Sequence, residues 1–79
     1  MASMKELVSF MASQLVDDPG SVQVTETESE DTRVFELRVA KDELGKVIGK
    51  QGRTARAMRS VLSAAAGIDK MKARLEIVE

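Results

Sequence analysis

Two glycines three residues apart interrupt an otherwise helical stretch between Leu44 and Arg59. Leu44, Val47 and Ile48 lead in with the apolar spacing of a short helix. Ala55, Met58, Leu62 and Ala65 follow on one face of a longer one, with Val61 beside them. Gly49-Lys50-Gln51-Gly52 stands between the two patterns. Glycine weakens a helix and permits the left-handed backbone that turns a chain sharply. This stretch therefore reads as helix, tight loop, helix, and the rest of the chain must pack around that corner.

The corner is also cationic. Between Leu44 and Ile68 there are five basic residues, Lys46, Lys50, Arg53, Arg56 and Arg59, and no acid. The net charge of the 79-residue chain is only −1, but its distribution is polarised. Residues 1–40 carry three basic and eight acidic side chains, and residues 41–79 carry nine and five. The local field of a basic patch, more than the total charge, governs encounter with a polyanion.

What is missing narrows the chemistry. There is no cysteine, hence no disulfide framework and no thiolate metal site. There is no histidine, the commonest general base and metal ligand. No catalytic constellation is visible, so neither an enzyme nor a cofactor or metal site is expected. Phe10 and Phe35 are the only aromatics, too few for a sheet that stacks bases. No apolar run approaches a membrane span and the start of the chain lacks the features of a secretory signal, so a soluble, cytoplasmic protein is expected.

The remaining segments fall into a simple order. Ser3-Met4-Lys5-Glu6 has the form of a capping box. Met4, Leu7, Val8, Met11 and Leu15 then trace one face of a helix, flanked by Phe10, which Asp17-Asp18-Pro19-Gly20 stops. Ser21 to Glu28 reads as a weak strand and Thr32 to Ala40 as a firmer one, with Phe35, Leu37 and Val39 on its core side. The polar turn between them, Ser29-Glu30-Asp31, lacks a tight-hairpin signature, so a longer loop is expected. The acids around it read as a solvated hairpin tip.

Lys41-Asp42-Glu43 opens the short helix, with its acids at the end that favours negative charge. Gly45 inside that helix reads either as a loose or close-packed helix or as a close approach to a neighbour. Gly67 predicts a left-handed end to the long helix near Ala66. Met71 to Val78 closes the chain as a strand, with Ala73, Leu75 and Ile77 on one side. The expected fold is α+β, in the order α-β-β-α-α-β, with three helices on one face of a three-stranded sheet and one domain over residues 1–79.

A phosphate needs donors without obstruction. The glycine loop offers backbone that a ligand can approach and delivers the N-terminus of the following helix. Lys50 adds a mobile charge and Gln51 amide hydrogen bonds. Lys46, Arg53 and Arg56 widen the positive field, while Val47 and Ile48 are read as an apolar floor for bases. The candidate site is thus Lys46, Val47, Ile48, Gly49, Lys50, Gln51, Gly52, Arg53 and Arg56, and its expected ligand is RNA, held by its sugar-phosphate backbone.

Val47-Ile48-Gly49-Lys50-Gln51-Gly52 resembles the signature of KH domains, whose GXXG loop clamps about four nucleotides of backbone. A helix and hairpin before the signature resemble the type II KH fold. Glu6-Leu7-Val8, Leu37-Arg38-Val39 and the run from Gly45 to Ala55 resemble the small bacterial KhpA family. Ala55 stands where the general KH pattern has a bulky aliphatic. The resemblance implies an RNA chaperone or post-transcriptional regulator. It also implies a homodimer, or a heterodimer with a larger KH protein of the KhpB (Jag) type, with links to cell shape in some bacteria.

Two other readings compete. A helix-turn-helix reading DNA would use the helix pair from Lys41 to Ala66. A pure interaction module would use Met58, Val61 and Leu62 as a dimer seam. A P-loop is excluded by spacing, since only three residues separate Gly45 from Gly49 and Gln51 follows Lys50.

Overall fold

A computed structural model describes residues 3–78. Its elements are α1 (Met4–Leu15), β1 (Gln23–Ser29), β2 (Thr32–Arg38), α2 (Leu44–Ile48), α3 (Arg53–Ile68) and β3 (Lys72–Ile77). Single 3₁₀ turns occupy Pro19–Ser21, Lys41–Glu43 and Lys50–Gly52. The α-β-β-α-α-β order and the α+β class are those read from the sequence.

β2 is the central strand. It pairs antiparallel with β1, Phe35 opposite Glu26, and parallel with β3, Phe35 opposite Leu75. The hairpin is tighter than expected. Ser29 pairs with Thr32, so Glu30 and Asp31 alone turn the chain, with Glu30 at φ 54. A non-glycine residue takes the left-handed conformation that a glycine would have advertised. The acidic tip is partly neutralised, since Arg33 pairs with Glu26 at 3.0 Å and Lys72 reaches Asp31 at 3.9 Å.

Period-two alternation in β2 and β3 puts Phe35, Leu37 and Leu75 beneath the helices, where they are buried with Val8, Ala12, Val16, Val47, Met58 and Leu62. Ser3 caps α1, its Oγ accepting from the Glu6 amide at 3.1 Å. The buried stripe of α1 is Val8, Ala12 and Val16, whereas Leu15 and Phe10 stay exposed. Small residues facing the sheet let the helix lie close, which rotates the larger ones away.

Glu43 stands at the N-terminus of α2, where an acid was expected, and it is also buried, accepting hydrogen bonds from the amides of Asp17 at 2.8 Å and Asp18 at 3.4 Å and so tying the end of α1 to α2. Two local expectations are corrected. Gly45 makes no close approach, since a Cβ there would meet nothing within 4 Å. Gly67 lies inside α3, and Lys70, at φ 57, is the left-handed residue after it. The Met71 amide then closes the helix on the Ala66 carbonyl at 2.9 Å.

Candidate nucleic-acid interface

α2 ends where its backbone must reverse. Gly49 has φ 77 and ψ 171, and its amide donates to the Gly45 carbonyl at 2.8 Å. A Cβ at this position would stand 2.2 Å from Thr54 Oγ1 and 2.8 Å from the Thr54 amide. The first glycine is therefore required by the fold itself, because the start of α3 packs directly against it. Gln51, at φ 58 and ψ 25, and Gly52, at φ 75 and ψ 13, continue the left-handed turn. A Cβ on Gly52 would meet only the tip of Arg56, at 4.0 Å, so the space above the second glycine is open.

The turn consumes some amides and leaves others. Gly52 donates to the Gly49 carbonyl at 3.1 Å, and Arg53 donates to the Lys50 carbonyl. Among the described residues, the amides of Lys50 and Gln51 make no hydrogen bond with the protein. Both residues are exposed. A non-glycine residue held at positive φ beside unsatisfied amides is strain concentrated at one place, and such strain gathers at ligand clamps.

The cations divide into two groups. Lys50, Arg53 and Arg56 are exposed and make no ion pair among the described residues. Lys46 is engaged: its Nζ bonds to Asp17 and lies 3.8 Å from Glu43. The hydrogen bond that Lys46 donates to the Asp17 carboxylate is the main cause that raises the Lys46 pKa above its usual 10.5. Its charge is thus partly answered within the protein.

The apolar floor also changes. Val47 is fully buried in the core and supports the turn from below, out of reach of a ligand. Helical geometry turns it inward, while Ile48 is half-buried at the rim. A second lining was not in the candidate set. A groove of about 670 Å³ runs between α3 and β3, lined by Arg59, Leu62 and Ser63 on one side and by residues 73–77, Arg74 and Glu76 among them, on the other. Arg59 Nε donates across it to the Leu75 carbonyl at 3.2 Å. The continuation of the Arg53, Arg56, Arg59 spacing was the available signal, but only the packing of α3 on β3 makes it a wall.

A one-turn helix, a glycine-bracketed left-handed turn and a long helix leading to a parallel strand, all preceded by a helix and hairpin, define a type II KH domain. Comparison with known proteins narrows this. The family model described as KhpA/KhpB, KH domain, matches residues 5–77, and the chain belongs to that family. It is 51% identical over 79 residues to the RNA-binding protein KhpA of Aquifex aeolicus, covering all of both chains. It is 50% identical over 76 residues to that of Halalkalibacterium halodurans, covering 96% of this chain and 100% of the relative. With the Treponema pallidum protein of the same name it shares 47% over 75 residues, 95% of this chain and 94% of the relative. Among solved structures, Aquifex aeolicus Era bound to GDP.AlF4- superposes with a TM-score of 0.67 at 21% identity, over 94% of this chain and 29% of Era. That likeness is one of fold.

Proposed function

We propose that this chain binds single-stranded RNA through the turn at residues 49–52 and acts without catalysis, as an RNA chaperone or post-transcriptional regulator in the cytoplasm. The observation that carries this reading is the pair of amides of the exposed residues Lys50 and Gln51, without partners among the described residues and beside the cations of Lys50, Arg53 and Arg56. A phosphate satisfies both the amides and the cations. The open space above Gly52 admits the sugar-phosphate backbone. Bases then turn past Ile48 toward the groove between α3 and β3. The relatives at 47–51% identity carry the name RNA-binding protein, which favours the same ligand. Among the described residues no helix is long and apolar enough to cross a membrane.

A helix-turn-helix reading fits less well. α2 has five residues, too short to brace a recognition helix across a duplex backbone.

A second surface favours self-association or pairing with a KhpB (Jag)-type KH protein. Phe10, Leu15 and Val61 are exposed large apolar residues that gather with Met11 and Ala57 around a mainly apolar groove of about 340 Å³ between α1 and α3, with Gln14 and Thr54 at its margin. It reaches Thr54, in the first turn of α3 and packed against Gly49 of the turn, so a dimer formed there holds two tips in a fixed relation.

The test is a double change, Lys50→Asp with Gln51→Asp. Binding to poly-U is expected to vanish while the far-ultraviolet circular dichroism is unchanged. Retained binding, or a preference of the wild type for duplex DNA over poly-U, would overturn the reading.

A further inference from the structure

α2 has only five residues, and a helix this short does not hold its shape by itself. Yet the turn at 49–52 takes its direction from α2, because the Gly49 amide closes on the Gly45 carbonyl. Whatever fixes α2 therefore fixes where the Lys50 and Gln51 amides point.

Val47 anchors one side of α2 in the core. The other side is held by charge. Glu43 occupies the N-cap position of α2 but its side chain caps nothing there. Its buried carboxylate instead accepts from the amides of Asp17 and Asp18, just past the end of α1. Hydrogen bonds from amides to a carboxylate are charge-assisted and roughly twice as strong as neutral ones. About one turn further on, Lys46 bonds back to the Asp17 carboxylate and lies 3.8 Å from Glu43 Oε1. Both struts thus meet at Asp17, where the chain is itself well fixed. Val16 before it is buried, with its amide on the Ala12 carbonyl at 3.2 Å, and the stiff Pro19 lies just beyond.

We propose that Asp17 and Glu43 are positioning residues for RNA binding: with Lys46 they brace α2 and so hold the turn in the shape that presents its free amides. The proposal rests on the RNA-binding reading above. A turn held in its bound shape loses less freedom when the ligand arrives. A turn that wanders binds only in proportion to the time it spends competent. The brace gives two acids a part in holding a polyanion, and that makes it separable from simple electrostatics. Removing an acid beside a cationic patch strengthens the attraction for RNA. Removing a strut weakens binding, so the two effects have opposite signs.

Fluorescence anisotropy with labelled poly-U tests this, at a temperature where circular dichroism shows each variant folded. Asp17→Ala and Glu43→Ala are expected to weaken binding about threefold or more, the loss when the competent turn falls to about a third of the population. Hydrogen exchange at the Gly49 amide is expected to quicken in both. Glu43→Gln keeps one acceptor oxygen and is expected to lose less than Glu43→Ala. Asp42→Ala removes the same charge from an exposed neighbour that makes no hydrogen bond or ion pair among the described residues, and it is expected to leave binding unchanged or tighter. Lys46→Met is expected to weaken binding with the wild-type salt slope, whereas Lys50→Met lowers that slope by about 0.7, the step for one phosphate on a single strand.

The Asp17 side chain is 85% exposed, so this position decides the outcome should Glu43→Ala fail to fold. Binding unchanged or tighter in Asp17→Ala overturns the proposal, as does an equal loss in Asp42→Ala. A slope that falls in Lys46→Met as it does in Lys50→Met overturns it as well, by making Lys46 a phosphate contact. A wild type that binds no poly-U would instead overturn RNA binding itself.

Discussion

Gly49 and Gly52 look alike in the sequence and do different work. The first has its Cβ direction filled by Thr54, and its φ and ψ lie in a region essentially reserved for glycine. The second needs glycine for its φ alone, over open space. Gly49→Ala is expected to destabilise by about 1–3 kcal/mol from backbone strain alone, with the Thr54 clash added. Gly52→Ala is expected to cost about 1–2 kcal/mol. Urea melts of the two variants check the order, and RNA affinity separates the roles. Gly52→Ala weakens binding at denaturant-free conditions where it is still folded, because its methyl stands where the backbone of the ligand approaches. A Gly52→Ala variant less stable than Gly49→Ala would contradict this division.

At the scale of elements, α1 and α3 each present two apolar faces. Their buried faces, Val8, Ala12 and Val16 on one and Ala55, Met58, Leu62 and Ala66 on the other, build the core. Their neighbouring faces leave Phe10 63% and Val61 46% exposed around one apolar groove. Unpaired apolar grooves of this kind mark association sites. Val61→Asp is expected to leave the fold intact, because the side chain is not in the core, and to convert a dimer to a monomer by sedimentation. A wild type that sediments as a monomer at high concentration would remove this surface from the proposal. Period-3.6 spacing in the sequence could nominate Val61 for core or seam, but it could not choose. The choice depends on how far the helix is rotated over the sheet, which the small Ala55 and Ala66 positions set.

The whole molecule carries no histidine, so its charge near the binding tip is constant around neutrality. Lys46 reinforces this. Its folded pKa is raised above 10.5 by Asp17, so whatever its pairing contributes to stability is fully present below that pH. The contribution is lost only as pH rises through the folded pKa. RNA affinity is therefore expected to be flat between about pH 6 and 8, whereas salt weakens it with a shallow log–log slope, from about three to five phosphates neutralised. Titration of affinity against pH and potassium chloride checks both, and a steep change near pH 6.5 would contradict the site. With a chain of this size the core is small, and stability and binding must share few residues.

Most of the architecture was legible because its causes are local. The hydroxyl of Ser3, the proline at 19, the alternation through Phe35 and Leu37 and the two glycines each dictate conformation within a few residues of themselves. The α-β-β-α-α-β order and the glycine-bracketed corner follow from them alone. Tertiary structure decided what those elements share across distance. Glu43 finds the Asp17 amide 26 residues away, Lys46 finds the Asp17 carboxylate 29 away, and Arg59 finds the Leu75 carbonyl 16 away. Val47 becomes core and Arg59 becomes a groove wall by the same means. No periodicity encodes such pairings, because they arise only when packing brings separate elements face to face.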